Sequence, residues 1–213
     1  MTKFILVRHG QSEANKLGLF AGHSDFPLTE LGTLQAQKTA EYIMQNHKID
    51  VIYSSDLKRA YSTAIPASKL SGIEIIPDER LREIFAGKWE SLPFDQIAAE
   101  YSEDRHLWKN DIGRSAPTDG ESVKELADRI LARLTEIGDE NPEKTVLITS
   151  HATPIRSMQA LWQSGSIEAM KDIDWVPNAS VTVAEYESGI FTLKSVGESA
   201  HLAEINTVLP PNV

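Results

Sequence analysis

Short runs of apolar residues alternate with segments of helical period along this chain. The runs are Phe4–Val7, Val51–Tyr53 and Val146–Ile148. Phe4–Val7 contains no polar residue, so we expect a strand that is buried on both faces, as strands of parallel sheets are. Several such strands separated by helices predict an α/β domain with a mainly parallel sheet.

Two of the intervening helices carry N-terminal capping signals. Thr29 precedes one of them, and Ser122 with Glu125 has the spacing of a capping box ahead of the other. Their apolar stripes are Ala36, Ala40, Ile43 and Met44 in the first helix and Val123, Leu126, Ala127, Ile130, Leu131 and Leu134 in the second. The remaining predicted elements are a helix from Leu57 to Leu70, a strand at Ile73 to Ile76, a helix from about Pro154 through Leu161, and a hairpin of Val181–Val183 and Ile190–Leu193 around Glu187-Ser188-Gly189.

The segment from Phe85 to Asp119 has no long periodic face. We interpret it as an irregular excursion over the sheet that faces the substrate, because it has too few apolar residues for a core of its own. The whole chain, Met1 to Val213, is then a single domain, with Val208 to Val213 as a loose end. The tryptophans are expected to be packing residues: Trp89, Trp108, Trp162 and Trp175.

Composition excludes several function classes. The 31 acidic and 21 basic residues give a net charge of −10, which argues against nucleic acid or an anionic membrane as a partner. The chain has no cysteine, so a disulfide, a thiolate metal site and a cysteine nucleophile are excluded. With no signal-like apolar segment, these features predict a cytoplasmic protein.

Polar residues with catalytic potential follow three of the apolar runs directly. Arg8, His9 and Gly10 follow the first run, Arg59 comes soon after the second, and His151 follows the third. Because ligands bind at the carboxyl ends of strands in an open parallel sheet, we expect these side chains to converge on one site. Two guanidinium groups favour phosphate, and a histidine among arginines can stay neutral and act as a nucleophile.

The chain resembles the histidine phosphatase superfamily, which includes cofactor-dependent phosphoglycerate mutases and many small phosphatases. The similarity extends in order from about Lys3 to Arg156. The motifs that carry it are Leu6–Asn15, Gly22 with Asp25–Gly32 and Gln35-Ala36, Ser54–Ala64, Leu81-Arg82-Glu83, Gly87–Glu90, Asp119–Ser122 and Thr149-Ser150-His151. The fold that this resemblance implies is a phosphoglycerate mutase-like three-layer α/β/α sandwich.

The resemblance also implies the role of each site residue. His9 would be the nucleophile that is transiently phosphorylated, and Glu83 the general acid and base. The groups that would surround the phosphoryl oxygens are Arg8, Arg59 and His151, with Asn15 and the backbone at Gly22 as further donors. This chemistry needs no metal and no cofactor, and the remaining histidines lack metal-ligand spacing. His23, beside Gly22, is one that could touch substrate.

The function expected is a metal-independent, histidine acid phosphatase-type phosphomonoesterase that hydrolyses a small phosphorylated metabolite. Two features differ from many family members: Ala152 follows His151 in place of glycine, and Ile84-Phe85-Ala86 replaces the Arg-His-Tyr-like continuation of classical mutases. A mutase that returns the phosphoryl group to substrate is the alternative, and a non-catalytic protein that binds a phosphorylated ligand is a third hypothesis. The sequence does not identify the substrate. A homodimer is possible, but the sequence indicates no surface for it.

Overall fold

The computed structural model describes residues 1–207, so the predicted loose end at Val208 to Val213 lies outside the described residues. The strands are β1 (Thr2–Arg8), β2 (Val51–Ser54), β3 (Ile75–Pro77), β4 (Thr145–Ser150), β5 (Val181–Glu187) and β6 (Ile190–Glu198). Among the described residues they form one six-stranded sheet in the order β3-β2-β4-β1-β5-β6. The first four strands pair in parallel, and the hairpin of β5 and β6 is added antiparallel beside β1.

Helices lie between the strands, and those at residues 30–46, 58–71, 123–140 and 152–164 lie where the helical periods predict them. They are α1 (Glu13–Leu17), α2 (Glu30–Asn46), α3 (Lys58–Ser71), α4 (Phe94–Glu100), α5 (Ser102–Asn110), α6 (Val123–Glu140) and α7 (Ala152–Ser164). The hydroxyl of Thr29 accepts a hydrogen bond from the amide of Gly32 at the start of α2. Ser122 and Glu125 form the expected reciprocal capping box at α6. No helix within residues 1–207 has the length and apolar character needed to cross a membrane.

The sheet has helices on both faces because successive strand residues point to opposite sides. One face packs against α6 and α7, through Phe4, Leu6, Val146 and Ile148 of the sheet and Leu126, Ile130, Ile155 and Met158 of the helices. The other packs against α2 and α3, through Ile5, Val7 and Leu147 of the sheet and Ala40, Ile43, Ala64 and Ala67 of the helices. The predicted three-layer α/β/α sandwich with a mainly parallel sheet is therefore confirmed.

Two local predictions differ from the structure. The strand expected from Ile73 starts only at Ile75, where pairing with β2 begins. The segment from Phe85 to Asp119, interpreted as irregular, contains α4 and α5. These helices have seven and nine residues, so neither is long enough to show a periodic apolar face in the sequence. Their buried residues Ile97 and Trp108 belong to the same apolar cluster as the sheet residues that face α6.

Candidate active site

The sheet order brings the ends of β1 and β4 together. These strands pair in parallel, with Arg8 opposite Ser150. His9 and His151 follow directly, and their ring centroids lie 5.2 Å apart with an interplanar angle of 64°. The amide of His9 also donates to the carbonyl of Ser150 at 3.0 Å, which fixes the two chain segments side by side.

Arg59 reaches the same edge from the first turn of α3. Its side chain is almost fully buried, and its two terminal nitrogens donate to the carbonyls of Gly22 at 2.7 Å and Ser24 at 2.9 Å. One turn later, the Thr63 hydroxyl donates to the Arg59 carbonyl and accepts a hydrogen bond from the amide of Gly10. This helix therefore connects the arginine to the chain segment that carries His9.

An open pocket lies at this edge, with about 660 Å³ of empty space when the adjoining open solvent is included. Six of the seven predicted site residues line it: Arg8, His9, Asn15, Gly22, Arg59 and Glu83. The seventh, His151, is fully buried next to His9, and its Nε2 is 2.8 Å from the hydroxyl of Ser55. The structure thus places all seven in one region, with His151 behind the pocket wall.

The hydrogen bonding of His9 defines its tautomer. Its Nδ1 lies 2.7 Å from the carbonyl oxygen of Gly10, and because a carbonyl only accepts, Nδ1 carries the hydrogen. The pKa of His9 is lowered well below its usual value, first by burial and then by the charges of Arg59 and Arg8. The neutral ring therefore has its lone pair on Nε2.

Buried cationic groups surround this ring. Burial lowers the pKa of Arg8 and of Arg59 to about 10, and the Glu83 carboxylate opposes both shifts, so both guanidinium groups remain charged at neutral pH. Within residues 1–207, the Nε atoms of both arginines and the Nδ1 of His151 are buried without a hydrogen-bond partner. Buried donors normally have partners, so unpaired donors beside a pocket favour an anionic ligand there.

Glu83 lines the same pocket and lies close to the N-terminus of α7. Its Oε1 accepts from the amide of Ile84 at 2.9 Å, and its Oε2 accepts from the amide of Thr153 at 3.3 Å. The imidazole Nε2 of His23 donates to the Glu83 carbonyl at 2.8 Å. His23, which could touch substrate on sequence grounds, is therefore engaged in holding the backbone of Glu83 and does not line the pocket.

Asn15 is oriented by a capping interaction. Its Oδ1 accepts from the amide and the hydroxyl of Ser12, which caps α1, and also from Nδ2 of Asn178 at 3.3 Å. Because three donors occupy the oxygen, the Asn15 Nδ2 group is left as the side chain's available donor. Asn178 also donates to the His9 carbonyl at 3.0 Å, so one residue positions both Asn15 and the histidine backbone.

Sequence reasoning missed Asn178 and the role of Glu90. The Glu90 carboxylate accepts from the amides of His23, Ala86 and Ser24 and from the Ser24 hydroxyl, at 2.6–2.9 Å. It thereby fixes the loop whose carbonyls hold Arg59. Its place in the Gly87–Glu90 motif was the only signal, and that motif says nothing about which loop it contacts. Among the described residues, no group of three or more His, Asp or Glu side chains is arranged to hold a metal ion.

The comparison with known proteins identifies the family. Residues 4–199 match the model of the histidine phosphatase superfamily, branch 1. The chain belongs to the histidine phosphatase superfamily. Phosphoserine phosphatase 1 of Hydrogenobacter thermophilus is 31% identical over 204 residues, which cover 96% of each chain. Phosphoglycerate mutase-like protein 4 of Arabidopsis thaliana is 32% identical over 205 residues, covering 95% of this chain and 87% of that protein.

Two solved structures superimpose closely on this chain. The YhfR protein of Bacillus stearothermophilus superimposes with a TM-score of 0.90 at 28% identity and covers 95% of this chain and 100% of its own. A mycobacterial glucosyl-3-phosphoglycerate phosphatase superimposes with a TM-score of 0.86 at 30% identity, and the match covers 92% of this chain and 99% of that one. The predicted family is confirmed, and the comparisons support a phosphatase as the class of function.

Proposed function

We propose that this histidine phosphatase is a metal-independent phosphomonoesterase that hydrolyses a small phosphate monoester through a phosphohistidine at His9. The observation that carries the proposal is the state of the His9 ring. Nδ1–H is held by the Gly10 carbonyl, which leaves the Nε2 lone pair available in a pocket with two guanidinium groups. An uncharged imidazole beside bound phosphate is a competent nucleophile.

In the first half-reaction, Nε2 of His9 attacks phosphorus, so an N–P bond forms and the ester P–O bond breaks. Glu83, protonated at this stage, transfers its proton to the leaving oxygen and becomes a carboxylate. In the second half-reaction, Glu83 takes a proton from water as the water oxygen attacks phosphorus. The N–P bond breaks, inorganic phosphate leaves, and both residues return to their starting states.

The cationic groups stabilise the charge of the transferring phosphoryl group. The unpaired Nε atoms of Arg8 and Arg59 lie in buried surroundings, where a hydrogen bond to an anion is worth more than in water. The Nδ1 of His151 can donate as well, because the hydroxyl of Ser55 can supply a hydrogen to its Nε2. Asn15 adds a further donor on the pocket side.

The pocket lining favours hydrolysis over the mutase alternative. A bisphosphate substrate or primer needs a second cluster of cations for its second phosphate. Within residues 1–207, the only cationic side chains that line the pocket are Arg8 and Arg59, which serve the first phosphate. The third hypothesis, a non-catalytic phospholigand-binding protein, is disfavoured because a nucleophile, a carboxylic acid and two cations are all retained in one pocket.

The test is the release of inorganic phosphate from p-nitrophenyl phosphate by the purified protein, without a bisphosphate primer and with EDTA present. We expect stoichiometric release that His9→Ala abolishes and the matched control His47→Ala, on the opposite end of the sheet, does not. Activity that persists in His9→Ala refutes the mechanism. Strong inhibition by EDTA refutes metal independence, and a need for a bisphosphate primer supports the mutase.

We also propose a pH range of activity, a cellular location and binding partners for this enzyme. Because the pKa of His9 is lowered, the nucleophile stays uncharged in mildly acidic solution, which supports an acid phosphatase-type activity. We propose a cytoplasmic location on the basis of the cysteine-free sequence, and cell fractionation tests it. The proposed binding partner is a small phosphorylated metabolite. We also propose a homodimer, which analytical ultracentrifugation tests by measuring the mass of the protein in solution.

A further inference from the structure

One side of the pocket is a wall of apolar side chains that no step of the proposed mechanism uses. We call this surface the aromatic wall, and it consists of Leu19, Phe20, Phe94, Trp108 and Trp175. The ring of Trp108 lies 5.2 Å from that of Phe20 and 6.5 Å from that of Trp175, measured between centroids. Trp108 and Trp175, expected only as packing residues, therefore also face the space where substrate binds.

Backbone pairing holds the aromatic wall in place. Leu19 forms a β-bridge with Pro93, and the amide of Phe20 donates to the carbonyl of Leu92 at 2.9 Å. These bonds attach the loop after α1 to the loop before α4. Leu19 and Phe20 are therefore held beside Phe94, and the Phe20 ring packs against both Phe94 and Trp108. The wall is thus preformed, as the apolar parts of small-molecule pockets usually are.

Charge is confined to the phosphate end of the pocket. In the part of the chain that the structure describes, the titratable residues lining it are Arg8, His9, Arg59 and Glu83. All have a role in the proposed phosphoryl transfer.

Two further arginines contact the wall without lining the pocket. The Arg105 guanidinium lies 5.8 Å from the ring centroid of Phe94. That of Arg156 lies 4.2 Å from the ring centroid of Trp175 and donates to the carbonyls of Ile173 and Met170. These contacts support the rings, and neither arginine reaches the surface that a substrate would touch.

We propose that the substrates are monophosphate esters whose alcohol portion is apolar and uncharged, such as an alkyl chain or an aromatic ring. This inference rests on the proposed function, because it assigns the alcohol portion of the same ester. Apolar groups gain free energy when they leave water for such a wall. A carboxylate or ammonium group would lose its hydration against leucine and tryptophan side chains without gaining a partner.

The first test uses the wild-type protein and n-alkyl phosphates, whose leaving alcohols have closely similar acidity. We expect kcat/KM to increase from ethyl to butyl to hexyl phosphate, by at least about tenfold over the series. Phosphoserine and 3-phosphoglycerate are expected to be at least about tenfold poorer than hexyl phosphate. A rate that does not depend on chain length, or a preference for either charged ester, overturns the inference.

The second test adds a charge to the wall. Leu19 is half-buried at the pocket, whereas Leu17, two residues earlier, is 62% exposed and does not line it. We expect Leu19→Lys to increase the kcat/KM ratio of 3-phosphoglycerate to hexyl phosphate by at least about tenfold, since the new ammonium pairs with the carboxylate. Leu17→Lys, with the same net charge, is expected to leave the ratio unchanged.

The outcomes separate this inference from the proposed function. If hexyl phosphate is hydrolysed fastest and His9→Ala is inactive, both stand. If all esters depend on His9 but chain length has no effect, or both lysine variants shift the ratio equally, only the apolar substrate class is wrong. If His9→Ala remains active, the phosphohistidine mechanism is wrong. Should Leu19→Lys fail to fold, as judged by circular dichroism, the alkyl series on the wild type still decides.

Discussion

Replacing His9 by asparagine should change how the stability of the protein depends on pH. The folded imidazole is 4% exposed, and burial together with Arg59 and Arg8 lowers its pKa well below the usual value. In the unfolded chain the same ring titrates at about pH 6.5. As pH falls through that value, the unfolded chain binds a proton that the folded protein does not. The contribution of His9 to stability is therefore fully present above the unfolded pKa and is lost as pH falls below it.

The size of the effect follows from proton linkage. Between about pH 7.5 and about pH 5.5, the unfolded ring goes from mostly neutral to mostly protonated, which stabilises the unfolded state by up to about 1.4 kcal/mol. His151 behaves in the same way, because burial and Arg59 lower its pKa also. His47 and His201, whose pKa values burial lowers as well, are unaltered in the variant, so their contributions cancel in the comparison.

Urea unfolding at the two pH values, followed by tryptophan fluorescence, measures this difference. The wild type is expected to lose up to about 1.4 kcal/mol more than His9→Asn on acidification. Equal losses in the two proteins would mean that His9 titrates alike in the folded and unfolded states, contrary to the lowered pKa of the buried ring. Inorganic phosphate is left out of the buffer, since a bound dianion would favour the protonated ring.

Three further substitutions test how the site is held. Glu90→Gln removes a hydrogen-bond acceptor from the loop that binds Arg59, so kcat/KM in the phosphate-release assay should fall about tenfold. Glu143 is exposed, and Glu143→Gln should leave kcat/KM unchanged in the same assay. Gly10→Ala places a Cβ 2.4 Å from a backbone carbonyl, so urea unfolding should show a loss of about 1–3 kcal/mol. Glu83→Gln should slow alkyl phosphates more than p-nitrophenyl phosphate in steady-state assays, because an alkoxide needs the proton more; equal slowing would place the general acid elsewhere.

Strands β1, β2 and β4 were predictable because each is an apolar run that is buried on both faces. The helix caps were predictable because a cap is a local interaction, as Thr29 and the pair Ser122 and Glu125 show. The order of the strands was not, since β1 lies between β4 and β5 through contacts between residues far apart in the sequence. Helices α4 and α5 were missed because each is too short to display a period.

In the site, too, the residues in local sequence patterns were predictable and those that depend on contacts between distant segments were not. Arg8, His9 and His151 could be placed because they directly follow buried strands, and parallel strand ends share one edge. Glu83 came from the family resemblance alone, since nothing about an acidic residue in a loop points to a pocket. The contacts of Glu90 and the aromatic wall could not be predicted, because they join segments that are far apart in the sequence and meet only in the folded chain.

Trapping the phosphoenzyme shows whether Nε2 of His9 accepts the phosphoryl group, as the proposed mechanism requires. The protein is mixed with a reactive phosphate ester and quenched in alkali, in which phosphohistidine is stable. Mass spectrometry then locates the phosphoryl group, and ³¹P NMR of the denatured protein distinguishes the two ring nitrogens. We expect phosphorylation of His9 on Nε2. Phosphorylation of another residue, or of Nδ1, which is hydrogen-bonded to Gly10, would contradict it.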